Sequence, residues 1–248
     1  MRLFLISTFI VCLSNLIVAQ TCILVVRTQS DILIGTDSKA AFDSAGRSIG
    51  SKTVCKIRKV KNIYATVAGP AILDQIAAVV KFCSQKHSNF EQIAALFDTV
   101  ETLKLQESFE IIRRKDSVVY RKEYKHFQLT CVTLCGFDHN IPKVYQYSFW
   151  IMSAPNEQVR IKDAIAKFTK PLNNTLMDIV RSGHFNYIDS VLKNDRNYWS
   201  GKTDVQNVEN LINLECEKEP QTVGKPIEVL HIYKDGYKWE LNPMPCTL

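Results

Sequence analysis

Thr21 stands directly behind an apolar leader, Met1 to Gln20, and loss of that leader would put a hydroxyl and a free α-amine on one residue. Such a residue carries its own nucleophile and its own base. A threonine hydroxyl is a poor nucleophile until its proton is taken, and an α-amine with a reference pKa of ~7.7 to 8.0 can take it near neutral pH. Three further residues could serve the same chemistry: Asp37 and Lys56 as opposite charges, and Gly69 as a backbone N–H donor at a helix start. Taken singly, each has a plainer reading as a first residue, a strand end, a surface charge and a bend.

The leader has the parts of an export signal: Arg2 as the positive start, Leu3 to Leu13 as the apolar stretch, and Leu16-Ile17-Val18-Ala19 as the exit. The run is short for a spanning helix, so a cleaved signal over residues 1–20 is expected rather than a membrane anchor. A cut after Ala19 leaves Gln20 in front of Thr21, and a cut after Gln20 exposes it. The remaining residues 21–248 suffice for one domain with a sizeable core, and an apolar content of 46% excludes a disordered chain. Export implies a secreted or periplasmic, extracytoplasmic location.

Net charge is +6, with basic residues scattered among acids. The densest groups, Arg58 to Lys61, Arg113 to Lys115 and Arg121 to Lys125, accompany no nucleic-acid motif and read as solvated faces. Without Cys12, seven cysteines remain, an odd number that leaves at least one thiol unpaired in a single chain. Cys83 and His87 at helical spacing, with Cys131 and Cys135 on one strand face, imitate metal ligands without forming a set of four. No metal or cofactor is expected.

The elements that must position these residues follow from the apolar pattern. Cys22 to Thr28 and Asp31 to Asp37 read as a hairpin, and pairing Thr28 with Asp31 brings Thr21 opposite Ser38, beside Asp37. A polar loop, Ala41 to Ser51, leads to strands Val54 to Val60 and Ile63 to Ala68, whose turn sets Lys56 opposite Val67. Gly69-Pro70 opens a helix from Pro70 to Lys86, and Asn89 caps a second running to about Arg113. Phe127 to Phe137 and Pro142 to Trp150 form another strand pair. Helical patterns are predicted at Asn156 to Phe168, Leu172 to Arg181 and Val205 to Glu217, and Ile227 to Tyr233 with Tyr237 to Leu241 make a closing hairpin. This order predicts an α+β fold, a four-layer αββα sandwich of two antiparallel sheets flanked by helices. Asn173-Asn174-Thr175 matches a glycosylation acceptor.

The motifs, in order, are Thr21-Cys22-Ile23-Leu24-Val25, Gly35-Thr36-Asp37-Ser38-Lys39-Ala40, Cys55-Lys56-Ile57, Ile63 to Gly69, Leu129 to Asp138, Pro142 to Tyr145, Val223-Gly224 and Ile227 to Gly236. Together they resemble a proteasome β-type subunit, a threonine peptidase of the N-terminal nucleophile hydrolase superfamily. The resemblance implies an acyl-enzyme hydrolase of peptide or acyl-amide bonds with Thr21, Asp37, Lys56 and Gly69 as its catalytic set. A cationic Lys56 would favour the neutral amine, Asp37 would hold the lysine, and the Gly69 N–H would serve the oxyanion. Ala40, Val54, Val67 and Ala71 would line an apolar pocket beside the nucleophile, and a homo-oligomer is compatible with the family's ring assemblies.

The chain departs from the family at a Gly-Ser-Gly turn that orients the amine, for which Ser153 is a weak candidate. It also departs at a later Asp-Ser-Gly-Gly motif, which falls here on Glu219 to Lys225, with Glu219 and Thr222 as substitutes. A long loop between Asp37 and Lys56 makes Lys52 a competing lysine. The segment Lys170 to Gly201 carries Phe185, Tyr187, Tyr198 and Trp199, and is expected as a packed helical pair or a cover for the cleft. Related hydrolases use an N-terminal cysteine, which makes Cys22 a rival nucleophile; a scaffold without catalysis is the other alternative.

Overall fold

The computed structural model describes residues 21–42, 48–69, 73–118, 120, 128–152, 158–173, 176–195 and 197–242, with the side chains of 40–42 and 48–52 also outside the description. Its organising element is the hairpin of β1 (Cys22–Arg27) and β2 (Asp31–Asp37), paired Ile23 to Thr36 and Arg27 to Ile32. The Thr28 N–H closes the turn on the Asp31 carbonyl at 3.0 Å, and the register predicted from sequence is the one observed. Both faces of this hairpin are covered, which is why its strands are nearly unbroken apolar runs. Ile23, Val25, Ile32 and Ile34 face the second sheet, whereas Cys22, Leu24, Val26 and Leu33 face a helical layer.

The first sheet has the order β10, β1, β2, β11, β12, and the second the order β5, β6, β7, β8, β9; every pairing is antiparallel. The remaining strands are β5 (Ile57–Val60), β6 (Ile63–Ala68), β7 (Gln128–Asp138), β8 (Ile141–Ile151), β9 (Ile161–Phe168), β10 (Asp178–Gly183), β11 (Ile227–Tyr233) and β12 (Gly236–Leu241). Helices α1 (Leu73–Lys86) and α2 (Phe90–Lys115) cover the outer face of the second sheet through Ile76, Val80, Phe97 and Phe109. Asn89 caps α2 by accepting the Gln92 N–H, and Arg113, Arg114 and Lys115 in the last turn complement its dipole. On the opposite side, α3 (Asn186–Asn194) and α4 (Asp204–Lys218) cover the first sheet, α4 opening with a Thr203/Gln206 capping box. A side chain at Gly35 would collide with Val208 and meet Ile212 Cδ1 at 2.6 Å, so α4 rests directly on the backbone of β2. The result is two five-stranded sheets between two pairs of helices, a four-layer αββα sandwich.

Three expectations are corrected. The stretches predicted as helices within Asn156 to Phe168 and Leu172 to Arg181 are the edge strands β9 and β10. Ile161 and Ile165 satisfy both a helical and an alternating spacing, and the open edge of β8 decides between them by pairing from Val144 to Ile151, which turns Phe168 to the other face. The polar stretch Ala41 to Ser51 contains a two-stranded ribbon, β3 (Lys39–Phe42) with β4 (Ser48–Thr53). Within Lys170 to Gly201, Phe185, Tyr198 and Trp199 pack against the core between the first sheet and α4, while Tyr187 stays exposed. Among the described residues no helix is long and apolar enough to cross a membrane. The leader, the Arg121 to Lys125 cluster, Ser153 and part of the Asn173-Asn174-Thr175 site lie outside the described residues.

Candidate active site

Hairpin register and burial bring three sequence-predicted residues together at the open end of β1 and β2. Asp37, fully buried, accepts from the Cys22 N–H at 2.9 Å and from Lys56 Nζ at 2.8 Å, both through Oδ1. Its Oδ2 accepts from the Gly224 N–H at 3.2 Å. One carboxylate thus holds the peptide that follows Thr21, the ammonium of Lys56 and the approach to β11. Lys56 is itself buried, so separating this pair would strand a charge in the core, at a cost of about 3 to 5 kcal/mol. The competing Lys52 lies in β4, with its side chain outside the description.

Thr21 is buried, and its carbonyl accepts from the His184 N–H at 2.8 Å, which extends the β1 to β10 ladder past Cys22 and Gly183. Continuing the alternation of β1 sets Thr21 on the side of Ile23 and Val25, facing the second sheet. Gly183 has φ +82°, and a Cβ there would run into the Thr21 carbonyl and meet Ala68 Cβ at 3.3 Å. Only glycine fits that approach. Its neighbour Ser182 is buried and joins a polar cluster across the intersheet space: Gln146 Nε2 donates to it at 2.8 Å, and Cys131 Sγ and Thr133 Oγ1 lie 3.4 Å from its hydroxyl. Ser182, Gly183 and His184 carry no role in the reading of the sequence. A serine-glycine pair just before a helix was the signal that could have singled them out.

Gly69 ends β6 with φ +106°, and a Cβ there would come within 3.0 Å of the Leu129 carbonyl oxygen, so close packing on β7 requires glycine. Pro70, Ala71 and Ile72 lie outside the described residues, which leaves the start of the predicted helix and the Ala71 pocket position there. Ala40 is in β3 with its side chain outside the description, Val54 is half-buried, and Val67 packs in the core between the second sheet and α1 and α2. Of the late motif, the Gly224 backbone meets Asp37, while Thr222 Oγ1 bonds the Glu219 carbonyl within its own turn.

The sequence matches no protein-family model and no curated relative. What the chain shares with N-terminal nucleophile hydrolases is the architecture, a four-layer αββα sandwich.

Cys22 and the metal candidates sort by face. Cys22 is fully buried toward α4, near Cys216, and its thiol is pushed well above the ordinary range, first by burial and then by Asp37 and Glu215. Cys83 packs on the helical side of the second sheet and Cys131 and Cys135 on its other side, so the sheet divides them. Among the described residues no group of three or more His, Cys, Asp or Glu could hold a metal ion. Cys55, next to Lys56, is disulfide-bonded, whereas Cys22, Cys83, Cys131, Cys135 and Cys216 are free thiols.

Glu228 is the acid that the sequence did not single out. It lies on β11 opposite Thr36, is fully buried, and accepts from Thr36 Oγ1 at 3.4 Å. Burial pushes its carboxyl above the usual range, against the backbone N–H of Lys56, the Thr36 hydroxyl and the Lys56 charge.

Proposed function

We propose that the chain is an N-terminal threonine hydrolase, exported with a signal over residues 1–20 that is removed to make Thr21 the first residue, and that it cleaves peptide or acyl-amide bonds. The single observation that carries this reading is the Asp37 carboxylate, bound at once to the Cys22 N–H and to the buried Lys56 ammonium. A buried ion pair at the first strand's open end has a use if the residue beside it reacts. In this reading the Thr21 α-amine takes the hydroxyl proton and the oxygen attacks the substrate carbonyl. The tetrahedral oxyanion meets the Gly69 N–H and the field of Lys56. Collapse expels the amine product, which leaves with the proton held by the α-ammonium, and water then hydrolyses the Thr21 ester. The αββα frame and the fit of Gly183 against the Thr21 carbonyl support the same reading.

The Cys22 alternative has less support, because its thiol is buried toward α4 and its thiolate is disfavoured there. The Cys55 disulfide suits an oxidising, extracytoplasmic compartment.

N-terminal sequencing and intact mass of the exported protein test the proposal together with Thr21→Ala. Thr21 is expected as the first residue, with an acyl adduct on the N-terminal peptide and a loss of turnover of about a thousand-fold or more on substitution. Activity that survives Thr21→Ala, or a mature form that keeps Gln20, overturns the reading; a folded, inactive protein with an intact leader would support a scaffold.

A further inference from the structure

The candidate catalytic set is divided between the two sheets: Thr21 and Asp37 stand at one end of the first, while Lys56 precedes β5 and Gly69 follows β6 in the second. Its parts meet only if the sheets keep one alignment. The space between them is filled largely by apolar side chains such as Ile23, Val25, Ile34, Val144 and Leu230, and apolar contact fixes no direction. A directed contact crosses that space near Thr21. Gln146, on β8, reaches over to β10, where its Nε2 donates to the Arg181 carbonyl at 2.6 Å and to the Ser182 hydroxyl at 2.8 Å. Both donors of the amide are thereby used on consecutive residues of one strand.

That strand is a border strand, with β1 as its neighbour in the first sheet. Immediately beyond Arg181 and Ser182 it meets the nucleophile end: a Cβ on Gly183 would run into the Thr21 carbonyl, and the His184 N–H donates to that carbonyl at 2.8 Å. Two residues of β10 are held from the second sheet, and the next two hold Thr21. Thr133 Oγ1 and Cys131 Sγ also approach the Ser182 hydroxyl, each at 3.4 Å. An oxygen pair at that separation is at the long limit of a hydrogen bond, so the shorter Gln146 contacts carry the tie.

We infer that Gln146 is a positioning residue: by tying the Arg181-Ser182 step of β10 to the second sheet, it aligns the Thr21 end of the first sheet with Lys56 and Gly69. The kinetic consequences rest on the Thr21 reading, whereas the tie itself does not.

Gln146→Leu keeps much of the side chain's bulk and removes both donors. Its kcat per folded molecule should fall about ten-fold or more with KM within about two-fold, because misalignment strikes the step that needs both sheets and leaves substrate contacts in place. Amide exchange at His184 should rise about ten-fold while exchange in α2 keeps its wild-type rate, since the loosening is local. Thr133→Val, in the same cluster, removes only a long contact and should leave kcat within about two-fold of wild type. A wild-type kcat or an unchanged His184 exchange rate in Gln146→Leu overturns the inference. An equal loss of kcat in Thr133→Val also overturns it, because any loosening of the core would then suffice. If Gln146→Leu does not fold, Ser182→Ala decides: it removes one of the two acceptors and should raise His184 exchange about three-fold, and a wild-type rate overturns the inference. If the wild type lacks Thr21-dependent turnover, the hydrolase reading fails while exchange at His184 still decides the tie.

Discussion

Arg27 and Lys56 are two buried cations at opposite ends of the same strand system, and their surroundings differ. The Arg27 guanidinium is bonded through all three of its nitrogens: it bonds Asp178 through Nε at 2.8 Å, the Pro142 carbonyl at 2.8 Å and the Lys170 carbonyl at 2.9 Å. It pins β1 to the start of β8 and to the segment before β10. Among the described residues, Lys56 Nζ has one hydrogen-bond partner, Asp37, although an ammonium carries three donors. A cation held through every nitrogen is a staple. A buried ammonium with a single partner among the described residues is able to bond something that arrives later, and it stands at the end of the strand where Thr21 begins.

That contrast breaks if the two cations respond alike. Lys56→Met should cost about a hundred-fold or more in acylation of Thr21 per folded molecule, and destabilise by about 3 to 5 kcal/mol through the stranded Asp37, read by acyl-adduct kinetics and urea unfolding. Arg27→Met should lose about 3 kcal/mol or more in the same unfolding experiment, yet leave the activity of the folded fraction at the wild-type level. Equal kinetic losses would remove the distinction.

Glycines sharpen it next. Gly183 and Gly201 have nearly equal dihedrals, φ +82° and +80°, but only Gly183 has the Thr21 carbonyl in the way of a side chain. Gly201→Ala should cost the left-handed backbone penalty alone, about 1 kcal/mol, and Gly183→Ala at least about twice that. Only Gly183→Ala should slow acylation.

The smallest effects belong to carboxylates that repeat the many-partnered and sparsely partnered cases. Glu110 accepts from Arg113, Arg114 and the Val159 N–H, and hydrogen bonding from Arg113 first of all holds its carboxyl down at about 2. Its contribution is fully present above the unfolded value near 4.5 and is lost as pH falls toward about 2, so Glu110→Gln should flatten the stability curve in that acid window. Asp98 Oδ1 is buried with no hydrogen-bond partner among the described residues, and burial pushes its carboxyl up to about 6. Raised above its unfolded value, it favours the protonated fold at low pH and destabilises as pH rises through about 6. Asp98→Asn should therefore gain on the order of 1 kcal/mol at neutral pH and nothing at pH values below about 4, by thermal melts across that range.

Much of this architecture is legible in the sequence because the hairpins carry their own rulers. A turn at Gln29-Ser30 sets the register of Ile23 with Thr36, and one at Lys61-Asn62 that of Ile57 with Thr66, as observed, with Thr21 and Lys56 just beyond the paired stretches. The edge strands β9 and β10 were less legible because short segments with partly covered faces fit two periods, and distant partners choose between them. The site divides in the same way. Asp37 and Lys56 could be read from local pairing, whereas Gly183 arrives from β10 by a contact no local pattern encodes. Glu228 left a trace: an acid on the face of β11 that otherwise presents Leu230 and Ile232 to the core.

The seat of β1 between β10 and β2 has a consequence for time as well as for shape. A border strand frays on fast timescales, but a strand flanked on both sides exchanges its amide hydrogens only when the sheet opens as a unit. Deuterium uptake at Cys22 to Val26 should accordingly be among the slowest in the molecule, so that the first residues after Gln20 keep their aim through many encounters with solvent.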